Sequence, residues 1–356
     1  MTEEGFAEVF EFLHSSREDL RKMAVRGIAQ QSKDNAELYR FLCSPAHGPR
    51  SIDALLQFLH AGGVQVLGDI LTILINCSAE GGCAEMLVTR KIVRKAMRLL
   101  DGIESSDHED ALKRSLEEMT LMLLSNLSAS HISAVDDLLQ MADEDLRGFY
   151  LGKLQVFYDR FNTDAEGEEE GKQRDEAEEE REAKQETEGN ANKPPVRDLQ
   201  RWILQILLNL TRSTNGQELL MEDEDWRRSL TQCLGSPNER HRMLAAQCYR
   251  NCSLCKEQHP AILRGNCVRA CLERLCDGSE RVPEVELLLA EVIAGMMQSE
   301  EGMLFLEEVN TKKHLQSAIA GKKVHDETAD FLSRHVLPLL DDVVDAYVIP
   351  EHDNID

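Results

Sequence analysis

Aromatic side chains are scarce in this sequence, at 5% of 356 residues, and there are only nine prolines. Sheets draw on aromatic and β-branched residues, whereas leucine and alanine dominate the apolar set here, which favours helix. No uninterrupted apolar run approaches the ~18 residues of a membrane span, so no membrane partner is expected. Positive charge is also short: 40 Lys and Arg face 65 Asp and Glu, for a net charge of −25. Binding to phosphate backbones relies on Lys and Arg releasing counterions, so the expected partners are proteins and not nucleic acid. Catalytic signatures are missing too. There is no G-x-S-x-G and no H-E-x-x-H, and Ala320-Gly321-Lys322-Lys323 lacks the upstream glycine and following hydroxyl of a phosphate loop. No enzyme and no cofactor is expected. The first residues, Met1 to Phe6, carry neither the basic nor the apolar region of a secretory leader. The ten cysteines are therefore expected as thiols in a reducing compartment, the cytoplasm or the nucleus.

What is present is a repeat. An apolar helix with an asparagine near its end recurs as Ile75-Asn76-Cys77-Ser78, Ser125-Asn126-Leu127-Ser128, Leu208-Asn209-Leu210-Thr211 and Arg250-Asn251-Cys252-Ser253. Asn76 to Asn126 is 50 residues and Asn209 to Asn251 is 42. Armadillo and HEAT repeats recur at roughly 40–47 residues. A weaker copy, Val292 to Met296, puts Gly295 in the asparagine slot, 44 residues past Asn251. Shorter amphipathic helices precede the asparagine helices, as in Ile52 to Leu59 and Ile92 to Leu100. Gly216 and Gly302 are expected to end one helix and let the next turn away. Glu8 to Leu13 with Leu20 to Ile28 form an opening repeat, and Phe331 to Val344 a closing helix.

Asn126 to Asn209 is 83 residues, too long for one repeat. From Asp164 to Glu188 there are thirteen Asp and Glu against four Lys and Arg, followed by Lys193-Pro194-Pro195. This composition cannot bury enough apolar surface to offset chain entropy. The expected organisation is thus all-α, a helical-repeat solenoid of about six armadillo or HEAT-like repeats. Residues 1–162 and 196–346 carry repeats, 163–195 form an acidic disordered insertion, and 347–356 an acidic tail.

Two roles stand for the asparagines: bonding backbone of the neighbouring turn, or bonding a peptide laid across the groove. Asn76, Asn126, Asn209, Arg250 and Asn251 are the candidate protein-binding groove. The asparagines also read as glycosylation sequons, but their recurrence at the repeat period explains them better. Seven of the ten cysteines fall between Cys233 and Cys276. Their helical spacing points to core packing, and no metal is expected there. Lys91, Arg94, Lys95 and Arg98 form a candidate positive stripe, and Arg240, Arg242 and Arg250 cluster further on.

Asn209-Leu210-Thr211, then Arg250-Asn251-Cys252-Ser253 and His259, resemble the HGH-type armadillo family of eukaryotes. Phe157 to Asn162 is similar to its short aromatic loop. The resemblance implies a cytosolic chaperone adaptor that holds translation elongation factor two for folding with the cytosolic chaperonin. Nuclear-import receptors place tryptophan four residues before each repeat asparagine; here those positions are Thr72, Met122, Gln205 and Gln247, so that clamp is absent. The alternative expectation is a regulatory or adaptor subunit of a signalling or ubiquitin-ligase complex.

Overall fold

Apolar residues spaced by three and four make helices that bury one stripe. The helix Ile92–Glu104 shows the principle: Ile92, Val93, Ala96, Met97, Leu100 and Ile103 are buried, while Arg94 and Arg98 stay outside. A computed structural model describes residues 2–61, 64–161 and 197–340, and all regular structure among them is helical. The acidic insertion expected at 163–195 and the tail at 347–356 lie outside the described residues.

An opening pair, α1 (Glu3–Glu11) and α2 (Glu18–Gln31), is followed by three-helix repeats. The second repeat is α3 (Ala36–Cys43), α4 (Gly48–Ala61) and α5 (Val64–Ser78); the third is α6 (Gly81–Thr89), α7 (Ile92–Glu104) and α8 (Asp110–Ser130). The fourth comprises α9 (Ile132–Leu139), α10 (149–161) and α11 (Gln200–Leu210). The fifth is α12 (Thr214–Glu222), α13 (Glu224–Cys233) and α14 (Glu239–Ser253); the sixth is α15 (His259–Arg264), α16 (Cys267–Asp277) and α17 (Pro283–Met296). The last comprises α18 (Glu300–Glu308), α19 (Thr311–Ala320) and α20, which starts at Asp326 and continues through a π-helical turn to residue 340. Every repeat asparagine lies on a third helix. The chain between α10 and α11 includes the acidic segment, so that segment enters within a repeat and not between two. No single described helix is long and apolar enough to cross a membrane.

The chain forms two compact halves, Met1–Asn209 and Leu210–Asp356. The amino-terminal core joins aliphatic residues such as Ile28, Leu38, Leu55, Ile70 and Leu71 to the buried rings of Phe6, Phe10 and Phe41. The carboxy-terminal core is built around Trp226 and Tyr249, whose hydroxyl donates to Arg227 O at 2.8 Å. Each buried aliphatic side chain contributes about 1.5–3 kcal/mol, so the repeat stack is held mainly by these stripes.

Two local expectations are corrected. Gly216 and Gly302 do not end helices; they sit in the first turns of α12 and α18, where Ser213 Oγ and Ser299 Oγ each accept the glycine N–H at 3.1 Å. A Cβ at either position would lie 2.1 Å from Leu210 O or 2.0 Å from Met296 O, so the tight corner between repeats admits only glycine. Phe157 and Phe161 belong to α10 and not to an aromatic loop. Both are buried and stack 6.4 Å apart with the Arg160 guanidinium over each ring.

Candidate protein-binding groove

The third helices carry their asparagines one after another, and each amide reaches back to the preceding repeat. Asn76 Nδ2 donates to Ser32 Oγ at 2.8 Å, just past the end of α2. Asn126 Nδ2 donates to Ile75 O at 3.2 Å on α5. Asn209 Nδ2, the most buried, donates to Ser125 O and Ser128 Oγ on α8, both at 3.0 Å. In the carboxy-terminal half, Asn251 Nδ2 donates to Thr211 Oγ1 at 3.0 Å.

The acceptors follow a rule. They are the carbonyl one residue before, or the hydroxyl two residues after, the asparagine slot of the previous repeat. Ser32, Ser78, Ser128 and Ser253 also each donate to a carbonyl three residues back, at 2.7–3.0 Å. Such a hydroxyl satisfies a carbonyl left open near a helix end and still offers a lone pair to the next repeat. The sequon pattern is therefore the two ends of an inter-repeat bond. This partner residue was not singled out in the sequence, although the sequon itself contained it.

Gly295 occupies the slot on α17 and makes no amide rung. Its Cα comes so close to α14 that a Cβ would lie 2.4 Å from Ser253 Oγ and 2.8 Å from Ser253 O. The buried His259 secures the same junction, with Nδ1 2.6 Å from Ser299 Oγ and Nε2 2.8 Å from Ser253 O.

One amide group is thereby engaged while the other stays open. Among the described residues no donor meets the side-chain oxygen of Asn76, Asn126, Asn209 or Asn251, and none of these oxygens is sealed from solvent. A half-buried amide oxygen is a good acceptor for a backbone N–H of an extended chain. Asn251 also borders an open cleft with Thr211, Leu254, Lys256 and Gln298. Arg250, one residue earlier, donates from Nε to Glu291 Oε2 at 3.0 Å.

The basic residues divide. Lys91 precedes α7 in a left-handed conformation, φ 58°, and its Nζ pairs with Asp137 on α9 at 3.0 Å. Arg94, Lys95 and Arg98 lie along the polar face of α7, and among the described residues none has an ion-pair partner. They sit on a second helix and the asparagines on third helices, so the stripe and the amide row are separate features. Arg242 is buried against Glu280 and belongs to no exposed basic cluster. Cys248, Cys252, Cys267 and Cys271 are fully buried thiols, and burial pushes the pKa of each up.

No protein-family model and no curated protein matches the sequence. Solved structures do match the fold. A designed armadillo repeat protein aligns with 81% of this chain and 98% of its own at 14% identity, TM-score 0.57. Another, solved in complex with the peptide (KR)4, aligns over the same shares at 13% identity, TM-score 0.58. A structure from work on a phosphorylation switch in the interaction between cadherin and beta-catenin covers 94% of this chain and 53% of that one at 15% identity, TM-score 0.59. The fold is an armadillo-type helical-repeat solenoid.

Proposed function

We propose that this protein is a non-catalytic scaffold that holds an extended segment of another protein along the asparagine row of its third helices. The observation that carries this reading is the series of unpartnered amide oxygens at Asn76, Asn126 and Asn209 in the amino-terminal half, with Asn251 offering an acceptor of the same kind in the carboxy-terminal half. A series of acceptors suits a peptide backbone, which repeats its N–H groups whatever its side chains. Arg250 flanks Asn251 and would contact what Asn251 binds in the carboxy-terminal half. The peptide in one similar designed structure, (KR)4, is basic, and the −25 charge of this chain favours a basic client by long-range attraction.

The finer reading is a cytoplasmic chaperone adaptor whose client is translation elongation factor two, working with the cytosolic chaperonin. It rests on the resemblance of Asn209 to Thr211, Arg250 to Ser253 and His259 to the HGH-type family. Affinity purification of the full chain from a eukaryotic lysate, followed by mass spectrometry, tests it. Recovery of the elongation factor and chaperonin subunits is expected. Recovery of a kinase, phosphatase or ubiquitin ligase in their place would move the protein to the regulatory-subunit reading. An Asn126→Asp variant keeps an oxygen but loses the N–H donor, and Asn126→Ala loses both groups. Client binding retained by the first and lost by the second, at matched melting temperature, places the client on the amide oxygen.

A further inference from the structure

One group of side chains in the amino-terminal half has no part in the amide row. Cys43 ends α3, the first helix of the second repeat. Cys83 lies in the first turn of α6, the first helix of the third repeat, and Glu80 is the N-cap of α6. Cys43 Sγ lies 3.5 Å from Cys83 Sγ and 3.7 Å from Glu80 Oε2, and one donor atom from each residue falls within 4.8 Å of the others. Glu80 is held in place because its Oε2 accepts the Cys83 N–H at 2.8 Å.

We propose that Cys43, Glu80 and Cys83 form a zinc-binding site that staples the second repeat to the third. In a tetrahedral zinc site with Zn–S of ~2.3 Å and Zn–O of ~2.0 Å, neighbouring donors stand ~3.8 Å apart for S···S and ~3.5 Å for S···O. The observed 3.5 and 3.7 Å separations lie within a few tenths of those edges, so the site needs only side-chain adjustment to close on the ion. Two thiolates with a carboxylate also suit zinc better than magnesium or calcium, which prefer oxygen ligands. Charge balances as well. The ion enters as the two S–H protons leave to solvent, so two neutral thiols and one carboxylate become two thiolates, one carboxylate and a dication. The site carries one net negative charge before and after, and the half-buried junction gains no uncompensated charge.

The test uses the full chain, reduced, stripped with a chelator, given zinc(II) and desalted. Elemental analysis should find one zinc per chain, and alkylation mapped by mass spectrometry should show Cys43 and Cys83 protected only when zinc is bound. Cobalt(II) in place of zinc should give thiolate charge-transfer absorption in the near ultraviolet. Cys43→Ser and Cys83→Ser should abolish binding and Glu80→Gln weaken it, whereas Cys255→Ser, in the other half, should bind as the parent does. Absence of zinc, zinc retained by both site serine variants, or a Cys43–Cys83 disulfide in place of metal would each overturn the proposal. The alkylation pattern decides the matter on the parent protein if a variant fails to fold.

Discussion

Two buried glutamates, one in each half, carry arginine partners, yet their pKa values move in opposite directions. Glu117 on α8 is 3% exposed and Glu280, just before α17, is 2% exposed. Burial raises the pKa of Glu117, and its contact with Arg160 Nη2 at 2.6 Å does not offset this. Arg160 divides its charge, since Nη1 pairs with Glu104 at 3.0 Å. Burial pushes on Glu280 too, but there it is outweighed. Arg242 gives two bonds at 2.8 and 2.9 Å, Arg274 one at 3.1 Å, and the N–H groups of Arg281 and Val282 donate at 2.9 and 3.0 Å. Together they hold Glu280 down, from an ordinary 4.5 to about 2. The number of donors, and not the mere presence of an arginine, decides whether a buried carboxylate stabilises its junction.

The largest test is Glu280→Gln. It leaves the Arg242 guanidinium buried without a counter-charge and should cost about 3 kcal/mol in urea unfolding at neutral pH. A loss below about 1 kcal/mol would break the comparison. The acid dependence follows from the sign of the shift. A depressed carboxylate pKa gives stability that is fully present above 4.5 and lost as pH falls through about 2. The gap between parent and Glu280→Gln should therefore close across that window, as measured by melting temperature. Donor counting extends to the neutral rungs. Asn209→Ala removes two hydrogen bonds from a buried site and should cost about 2 kcal/mol. Asn76→Ala, half-exposed with one bond, should cost under about 1 kcal/mol. The smallest effect is at Glu117. There Glu117→Gln removes a charge that the site disfavours, so stability should hold or rise by up to about 1 kcal/mol. A clear loss would show that Arg160 does more for Glu117 than its single close bond suggests.

The asparagine period found the third helices because it repeats a polar residue within an apolar stripe, a signal that survives in sequence. The second helices showed through their amphipathic spacing, as in Ile92 to Leu100. The first helices α3, α6, α9 and α15 were missed. Each is only six to nine residues long and presents too few turns for a stripe to stand out. The amide row was legible as positions but not as chemistry. Nothing local tells that Asn126 donates to Ile75, because that contact depends on how far apart two third helices stand. The same holds for Arg242, whose neighbours in sequence suggested a basic surface and whose partner, Glu280, lies 38 residues on. Cys43 and Cys83 are 40 residues apart and meet only because equivalent first helices stack.

The rung geometry makes each junction a plug and a socket of one pattern. A third helix carries the plug, its asparagine, and beside it the socket for its successor, the carbonyl one residue before or the hydroxyl two residues after. Removing one whole repeat, from Gly81 through Ser130, would bring the plug of Asn209 to the socket at Ile75 and Ser78 in place of Ser125 and Ser128. Such a shortened chain should still close its ladder. The sixth repeat cannot be exchanged in this way, because Gly295 fits only where a helix lies bare against Ser253. The array can thus be lengthened or trimmed among its early repeats, while its late end is keyed to a single neighbour.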